Sequence, residues 1–276
     1  MKLLKAKIFG KYSFNYLPDD KYVGQRIALE KYEPYETELI LKQVNKGDII
    51  VDVGANIGYY TILFADKVGK KGKVIAIEPD PINFEILQKN IKENNLFNVV
   101  AVQAAVGKEN KKMNIYESEE NYGDHRMWGD GGRKTVSVFC RRLDDLLKDL
   151  GYEKIDLMKV DTQGWEPEVF AGAKKTIEKD LPIIFFEYSP ASYKLAKLSE
   201  MEMMSWLKKL YKKFWWIDEW LYIYRRLEKE KIDKICGTNK TGYADLWVKK
   251  EMSLNDRFSQ FKNLKVKKLI KNLLIK

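Results

Sequence analysis

The stretch IIVDVGANIG, residues 49–58, decides the fold of this 276-residue chain. Residues 49–53 are a short, mainly β-branched run, which is typical of a strand buried on both faces. The glycines at 54 and 58 predict a turn, and the apolar spacing of residues 59–68 predicts a helix after it. A buried strand, a glycine turn and a helix form one unit of a parallel sheet.

The same unit repeats toward the C-terminus. Residues 73–77 predict a second buried strand, residues 83–94 a helix with one apolar face, and residues 98–105 a third strand. This alternation, at about 25 residues per unit, is the signature of an α/β fold with a doubly wound parallel sheet. Four further strands are predicted at residues 155–160, 182–187, 214–217 and 244–248.

An antiparallel hairpin interrupts this pattern. Residues 112–117 and 135–141 alternate between apolar and polar side chains, and a polar, glycine-rich connection at residues 118–134 lies between them. Long ordered connections in compact domains are usually functional, so this loop is a candidate part of a site.

The chain divides into three predicted parts. Residues 1–31 are a basic and aromatic extension with no clear period, and residues 32–250 form the main domain. Residues 251–276 predict a basic amphipathic helix, because apolar residues recur near a helical period among lysines. That helix either docks on its own domain or contacts a membrane surface or a partner.

The composition indicates a folded, soluble protein, with 45% hydrophobic residues and a net charge of +10. Scattered lysines with acids between them favour solvated helix faces, although an anionic partner such as nucleic acid is the alternative. The single histidine, His125, excludes a multi-histidine metal site. Two cysteines fit a reducing compartment, and no membrane span or secretory signal is recognised, so a cytoplasmic location is predicted.

Two carboxylates predict the cofactor. The turn after the first strand lacks the G-x-G-x-x-G spacing of a dinucleotide site, and Asp52 precedes its first glycine. An acid there suits a ligand with an amino group, and Glu78, at the end of the second strand, suits the two ribose hydroxyls of a nucleoside. An amino acid joined to a nucleoside is S-adenosylmethionine. The alternatives are a turn-capping role for Asp52 and a strand-ending turn at Glu78-Pro79.

Six motifs in order resemble the FkbM-type methyltransferases over residues 32–250. They are VDVGANIGYYT, IAIEPDP, AAVG, GDHRM, IDLMKVDTQGWEPEVFAGA and IIFFEYSP, and KVDTQGWE is close to the family's K-x-D-x-x-G-x-E pattern. The resemblance implies a class I methyltransferase fold, a seven-stranded, mostly parallel sheet of order 3-2-1-4-5-7-6 with helices on both faces. It also implies S-adenosylmethionine bound across strands 1 and 2, and O-methylation of a hydroxyl on a sugar, glycan or small metabolite.

The resemblance assigns cofactor-binding residues position by position. Glu78 would hold the ribose, and backbone groups near Ala104 and Ala105 would face the adenine. Glu36 and Thr37, on the helix predicted over residues 34–45, would touch the methionine end or be exposed helix residues. The methionine half would lie against Asp52, Gly54, Asn56 and Gly58.

Three side chains are candidates for the general base, because an alcohol must lose its proton to attack the methyl group. Asp161 ends the fourth strand, Glu187 ends the fifth, and His125 lies in the long loop. Each has a structural alternative: a helix cap, an acid paired with a lysine, and a structural histidine. Asp161 and Glu187 are also compatible with Mg²⁺, although no third acid is clearly placed with them and no metal site is assigned.

Other residues are assigned to the methyl acceptor. Trp165 and Glu166 follow Asp161 and would shape the acceptor pocket, with core packing as the alternative for Trp165. An anionic acceptor, such as a phosphorylated or nucleotide-linked sugar, would meet Arg126, Arg133 and Lys159, unless these are ordinary surface charges.

Two other functions stay open. Ribose 2′-O-methylation of RNA is suggested by the charge and the 13% aromatic content. Base methylation is disfavoured, because the turn at residues 161–164 is DTQG rather than a proline-rich turn and neither cysteine lies in a turn at a strand end. A non-catalytic scaffold of the same fold is the third possibility.

Overall fold

A computed structural model describes residues 1–118, 121–129, 132–218, 223–227 and 243–249, and of residues 223–227 the backbone only. The helix predicted over residues 251–276 and Cys236 lie outside the described residues. Within those ranges, none of the helices has both the length and the apolar character that a membrane crossing requires.

Strands and helices alternate along the chain as the sequence predicts. The strands are β1 (Leu4–Ile8), β2 (Tyr12–Tyr16), β3 (Ile49–Val53), β4 (Lys73–Ile77), β5 (Val99–Val102), β6 (Ala105–Val106), β7 (Lys111–Tyr116), β8 (Thr135–Arg141), β9 (Leu157–Val160), β10 (Ile183–Tyr188), β11 (Phe214–Asp218), β12 (Ile223–Leu227) and β13 (Ala244–Val248). The helices are α1 (Gly24–Ala28), α2 (Pro34–Gln43), α3 (Tyr59–Val68), α4 (Pro81–Glu93), α5 (Leu143–Asp149), α6 (Glu166–Gly172), α7 (Lys174–Asp180), α8 (Pro190–Leu195) and α9 (Glu200–Leu210).

The main sheet has the strand order β12-β11-β13-β10-β9-β3-β4-β5. The strands from β10 to β5 are parallel, and β13, β11 and β12 are antiparallel to their neighbours. The predicted order of a class I methyltransferase is therefore confirmed. The predicted number of seven strands is wrong, because β12 adds an eighth strand at the β11 edge. Its sequence, IYRRL, places two arginines side by side and so lacks the alternation that predicts a strand.

The predicted third strand is shorter in the structure. Strand β5 ends at Val102, and Ala105 and Val106 instead pair with β8 in a separate three-stranded sheet, β6-β8-β7. The predicted hairpin is confirmed, because β7 and β8 pair antiparallel. The chain therefore leaves the main sheet just before Ala104 and Ala105.

The N-terminal segment forms a hairpin to which the sequence assigns no element. Strands β1 and β2 pair antiparallel, and Ile8 and Phe14 are buried in the core beneath α3. Asn15 is also buried: its backbone N–H donates to Asn90 Oδ1 at 2.7 Å, and Asn90 Nδ2 donates to the Asn15 carbonyl at 3.1 Å. A buried asparagine beside a buried phenylalanine breaks the two-residue period, so the pattern gives no strand signal. The domain boundary predicted at residue 32 stays a prediction.

Candidate active site

The carboxyl ends of β3, β4, β9 and β10 open onto one cavity of about 1680 Å³. Asp52 and Glu187 lie within the last residues of β3 and β10, and Glu78 and Asp161 directly follow β4 and β9. All four carboxylates line the cavity. A single small-molecule site usually occupies roughly 300–1000 Å³, so this cavity has room for two ligands side by side.

Asp52 is held on the floor of the cavity. Its side chain is buried, and Asp52 Oδ2 accepts a hydrogen bond from the Thr61 hydroxyl of α3 at 2.6 Å. Burial raises the pKa of Asp52, and the ammonium of Lys159, its neighbour across the β3–β9 pair, acts in the opposite direction. The helix and the neighbouring strand thus fix the orientation of this carboxylate.

Glu78 is held by the backbone on both sides. Its Oε2 accepts from the Asn56 N–H at 2.8 Å, and its Oε1 accepts from the Asp80 N–H at 2.9 Å. A carboxylate has about four acceptor positions, so each oxygen keeps one for a further donor. Burial raises the pKa of Glu78 to about 8, because the charged form loses hydration in this pocket.

The glycine turn is shaped by its protein neighbours. Gly54 has φ of +81°, and a Cβ there would lie 1.9 Å from the Asp161 carbonyl oxygen. The N–H groups of Gly54 and Ala55 both donate to the Ile77 carbonyl, at 2.9 and 3.1 Å. These donors are therefore occupied and are not aimed at a ligand phosphate, which agrees with the absence of dinucleotide spacing in the sequence.

The long loop is attached to the glycine turn through one carbonyl. The Tyr122 carbonyl accepts from Asn56 Nδ2 and from Asn83 Nδ2 of α4, both at 3.1 Å. This contact holds the described part of the loop, residues 121–129, against the cavity and places His125 in its wall.

His125 accepts a hydrogen bond through one ring nitrogen. The Ser118 N–H donates to His125 Nδ1 at 2.9 Å, so the hydrogen-bond network assigns the proton of the neutral ring to Nε2. Burial lowers the pKa of His125, although Asp80 and Glu117 act against it. In this arrangement the ring offers the cavity a donor rather than a proton acceptor.

Lys159 lies beneath Asp161. Its Nζ is 3.2 Å from Asp161 Oδ2 and 4.5 Å from the centre of the Tyr60 ring. Burial by itself would lower the pKa of Lys159, but the carboxylates of Asp161, Glu33 and Glu36 outweigh it, so the pKa is raised. Lys159 therefore stays charged and holds the Asp161 carboxylate by attraction.

Glu187 faces Asp161 from the neighbouring strand. Gln163 Nε2 donates to Asp161 Oδ1 at 2.8 Å and to Glu187 Oε2 at 3.1 Å. Burial raises the pKa of Glu187 well above its ordinary value, and the charges of Asp161, Glu166 and Asp245 raise it further. Glu187 therefore holds a proton more readily than an ordinary carboxyl group does.

The K-x-D-x-x-G-x-E pattern has a physical basis in this turn. Glu166 is fully buried, and its Oε1 accepts from the Thr162 N–H at 2.8 Å and from the Thr162 hydroxyl at 2.9 Å. Its Oε2 accepts from the Gly164 N–H at 3.1 Å. The lysine thus holds the aspartate, and the glutamate braces the turn that follows it.

One family model matches this chain. The methyltransferase FkbM domain matches residues 52–214, which is more than half of the chain. The chain belongs to the FkbM methyltransferase family. The matched FkbM domain begins at Asp52 and includes the strand ends that carry Glu78, Asp161 and Glu187, and it leaves out the N-terminal hairpin.

Curated methyltransferases are similar to parts of this FkbM chain. Methyltransferase sdnD of Sordaria araneosa is 31% identical over 157 residues, 45% of this chain and 59% of sdnD. The 2-O-methyltransferase NoeI of Sinorhizobium fredii is 29% identical, over 54% of this chain and 67% of NoeI. The hexuronic acid methyltransferase AglP of Haloferax volcanii is 26% identical, over 51% of this chain and 56% of AglP. The chain thus spans 56% to 67% of the length of these relatives.

One solved structure aligns with most of this chain. The FkbM methyltransferase from Methylobacillus flagellatus aligns with 83% of this chain and 55% of its own, with 16% identity and a TM-score of 0.46.

Most of the predicted site residues lie around the one cavity. Those in its lining are Asp52, Gly54, Asn56, Glu78, Ala104, Ala105, His125, Asp161 and Glu187, together with Glu36, Arg126, Lys159 and Trp165. The assigned roles themselves stay predictions.

Four predicted residues are not part of this lining. Gly58 caps the N-terminus of α3 against Leu87, and the Thr37 hydroxyl lies 3.2 Å from the Tyr59 hydroxyl. Glu166 braces its turn, and Arg133 binds Asp124 in the loop.

Sequence reasoning missed two side chains of the site. Glu33 lines the cavity and accepts from the Tyr60 hydroxyl at 2.8 Å, at a left-handed φ of +40°. Nothing in the sequence signals it, since a residue before proline usually adopts extended backbone. The sequence does contain a signal for Gln163, because this residue lies in the KVDTQGWE motif, two positions after Asp161.

The described residues give no separate sign of a metal centre. Among them, no three His, Cys, Asp or Glu side chains are grouped so as to hold a metal ion.

Proposed function

We propose that this chain is an S-adenosylmethionine-dependent O-methyltransferase that acts on a hydroxyl of a sugar, glycan or small metabolite. The observation that carries the proposal is that two pairs of acids, one suited to the cofactor and one to the acceptor, line the same cavity. Asp52 and Glu78 lie on one side of the glycine turn, and Asp161 and Glu187 lie on the adjacent strand ends.

The cofactor end fits S-adenosylmethionine. Glu78 presents an oriented carboxylate with free acceptor positions for two ribose hydroxyls. Ala104 and Ala105, both buried, offer a smooth wall for the adenine ring. Asp52 supplies a negative charge at the methionine end, where the ligand carries an amino group. The protein groups therefore match the two halves of the cofactor.

The acceptor end fits removal of a proton from a hydroxyl. When bound, S-adenosylmethionine would supply an electrophilic methyl group, and its bond to sulfur would break as the new C–O bond forms. Asp161 is partly open to the cavity and accepts the hydroxyl proton, while Lys159 balances its charge. Glu187, whose raised pKa favours the protonated form, donates a hydrogen bond that orients the acceptor. The chain otherwise aligns the reactants and excludes water.

The charges around the cavity support an uncharged acceptor. Arg126 and Arg133 both bind Asp124, at 2.5 and 2.7 Å, and Lys159 binds Asp161. Carboxylates outnumber cations in the described lining. Transfer to a hydroxyl oxygen agrees with the name of the relative NoeI, a 2-O-methyltransferase, whereas AglP is named for a hexuronic acid, which carries a carboxyl group.

The test of the proposal is transfer of an isotopically labelled methyl group. The full chain is incubated with labelled S-adenosylmethionine and cell extract, and the product is identified by mass spectrometry. We expect the label in the methyl group of a methyl ether on a sugar-containing compound. Label in RNA that ribonuclease releases would favour ribose methylation, and no binding of the cofactor by calorimetry would exclude catalysis.

The cofactor affinity is expected to rise with pH through Glu78. Below about pH 8 the ligand-free carboxyl is protonated, whereas ribose hydroxyls donate to the ionised form, so binding releases a proton. The association constant should therefore rise by up to about tenfold per pH unit below pH 8 and level off above it. Calorimetry from pH 6 to pH 9 measures this slope.

Glu78→Gln should remove that slope and weaken binding about 10- to 100-fold at pH 8.5, since hydrogen bonds to a charged group contribute about 1.5–3 kcal/mol. Glu38→Gln, on the exposed face of α2, is the matched control and should leave the curve unchanged. A wild-type affinity that does not vary with pH would contradict this role of Glu78.

A further inference from the structure

Gln163 connects the two acids of the acceptor end. Its single side-chain nitrogen donates to Asp161 Oδ1 at 2.8 Å and to Glu187 Oε2 at 3.1 Å. A primary amide has two N–H groups, so both of its donors are used. The bridge joins the ends of β9 and β10 through side chains.

The backbone of Gln163 is held in a conformation that few residues adopt. Its φ is +53°, in the left-handed region, and its carbonyl accepts from Trp128 Nε1 of the loop at 2.9 Å. Gly164 follows with φ of +92°, where a Cβ would lie 2.5 Å from Ser192 Cβ. Glu166 fixes the same turn from inside. A strained residue held from several sides is a feature of functional sites.

Several charged or titratable groups surround the Gln163 bridge. Without a donor between them, two carboxyl groups on neighbouring strand ends would repel each other when both ionise. The charged or titratable groups that face them are Lys159 on β9, Asp52 on β3, Asp245 on β13, Glu33 and Glu36 at α2, Glu166 on α6, and Tyr32, Tyr193 and Tyr243.

We infer that Gln163 is a positioning residue that holds Asp161 and Glu187 in one arrangement and assigns them different tasks. The amide donates to one oxygen of each acid, so a proton on Glu187 resides on Oε1, away from the bridge. Asp161, held by Gln163 and Lys159, is the group that receives the hydroxyl proton. This inference rests on the proposed O-methyl transfer.

Gln163→Gly is the first test, because glycine accepts the left-handed backbone while the whole side chain with its bridging amide is removed. We expect kcat to fall about 10- to 100-fold, in the range of a lost hydrogen bond to a charged group. The KM for the acceptor, the Kd for S-adenosylmethionine and the Tm should stay close to the wild-type values. Gln88→Gly, at an exposed position of α4, is the control: it should lower the Tm and leave kcat unchanged.

The pH–rate profile separates positioning from a structural role. Loss of the two donors removes stabilisation of ionised carboxylate at the bridge, so the acid limb of the pH–rate profile should move upward by about one pH unit. Gln163→Asn, which tolerates the left-handed backbone but is one methylene shorter, should show the same shift. Trp128→Phe removes the indole N–H that holds the Gln163 carbonyl and should give a smaller change in the same direction.

A uniform loss of rate at every pH, or full activity of Gln163→Gly, would overturn the inference. Carbon-13 NMR titration of the labelled carboxyl groups gives a readout that needs no turnover. If the wild-type chain transfers no methyl group, the proposed function fails. The bridge is then judged by whether Gln163→Gly moves those titrations, and unchanged titrations would reject it.

Discussion

Asp161→Asn is expected to slow methyl transfer by about a hundred- to ten-thousand-fold, the usual contribution of a general base. The amide keeps the size of the side chain but takes up no proton from the hydroxyl. Lys159 would keep the carboxylates of Glu33 and Glu36 nearby, so the fold should survive the change. The Kd for S-adenosylmethionine should change little, because Glu78 and Asp52 lie at the other side of the turn.

The measurement is the initial rate of label incorporation into the acceptor, with calorimetry for cofactor binding and Tm for the fold. Asp149→Asn is the matched control, since that carboxylate is exposed and pairs with Arg141 away from the cavity. Glu187→Gln should slow methyl transfer less than Asp161→Asn does, because a neutral amide still donates a hydrogen bond. The reverse order of the two losses would make Glu187 the base.

The parts of the site that follow from sequence are those set by sheet topology. Ligands of an open parallel sheet bind at the carboxyl ends of its strands. Once β3, β4, β9 and β10 are recognised as buried apolar runs, Asp52, Glu78, Asp161 and Glu187 must meet at one edge. The sequence periodicity carries this information without any knowledge of side-chain contacts.

The parts that do not follow depend on contacts between distant or unusually shaped segments. Asn15 is buried because Asn90, 75 residues away, satisfies its polar groups, which hides the hairpin from a pattern search. Glu33 and Gln163 have left-handed backbones that no residue preference predicts. The Tyr122 carbonyl binds two amides through its backbone, so its side chain gives no signal of that role.

Gly54 also has a role that its motif does not suggest. The sequence motif indicates a glycine that lets a ligand approach the backbone. In the structure the atom closest to a Cβ at this position is the Asp161 carbonyl oxygen, at 1.9 Å. Gly54 therefore lets the glycine turn pack directly against the end of β9, next to the proposed base Asp161.

Gly54→Ala is expected to lower the free energy of unfolding by about 2 to 5 kcal/mol, from the left-handed backbone and the overlap with Asp161. The overlap is with backbone, which no rotamer change relieves, so β3 and β9 must separate at their ends. Chemical denaturation with urea measures the loss.

Gly47→Ala separates the two causes. Gly47 has a similar φ of +90°, but a Cβ there meets no atom within 4 Å. Gly47→Ala should therefore lower the free energy of unfolding only through the left-handed backbone, by about 1 to 2 kcal/mol. If both variants lose the same stability, the contact with Asp161 contributes nothing. If Gly54→Ala alone also weakens cofactor binding and slows transfer, the turn and the end of β9 act as one unit, because a shift at one backbone displaces Glu78 and Asp161 together.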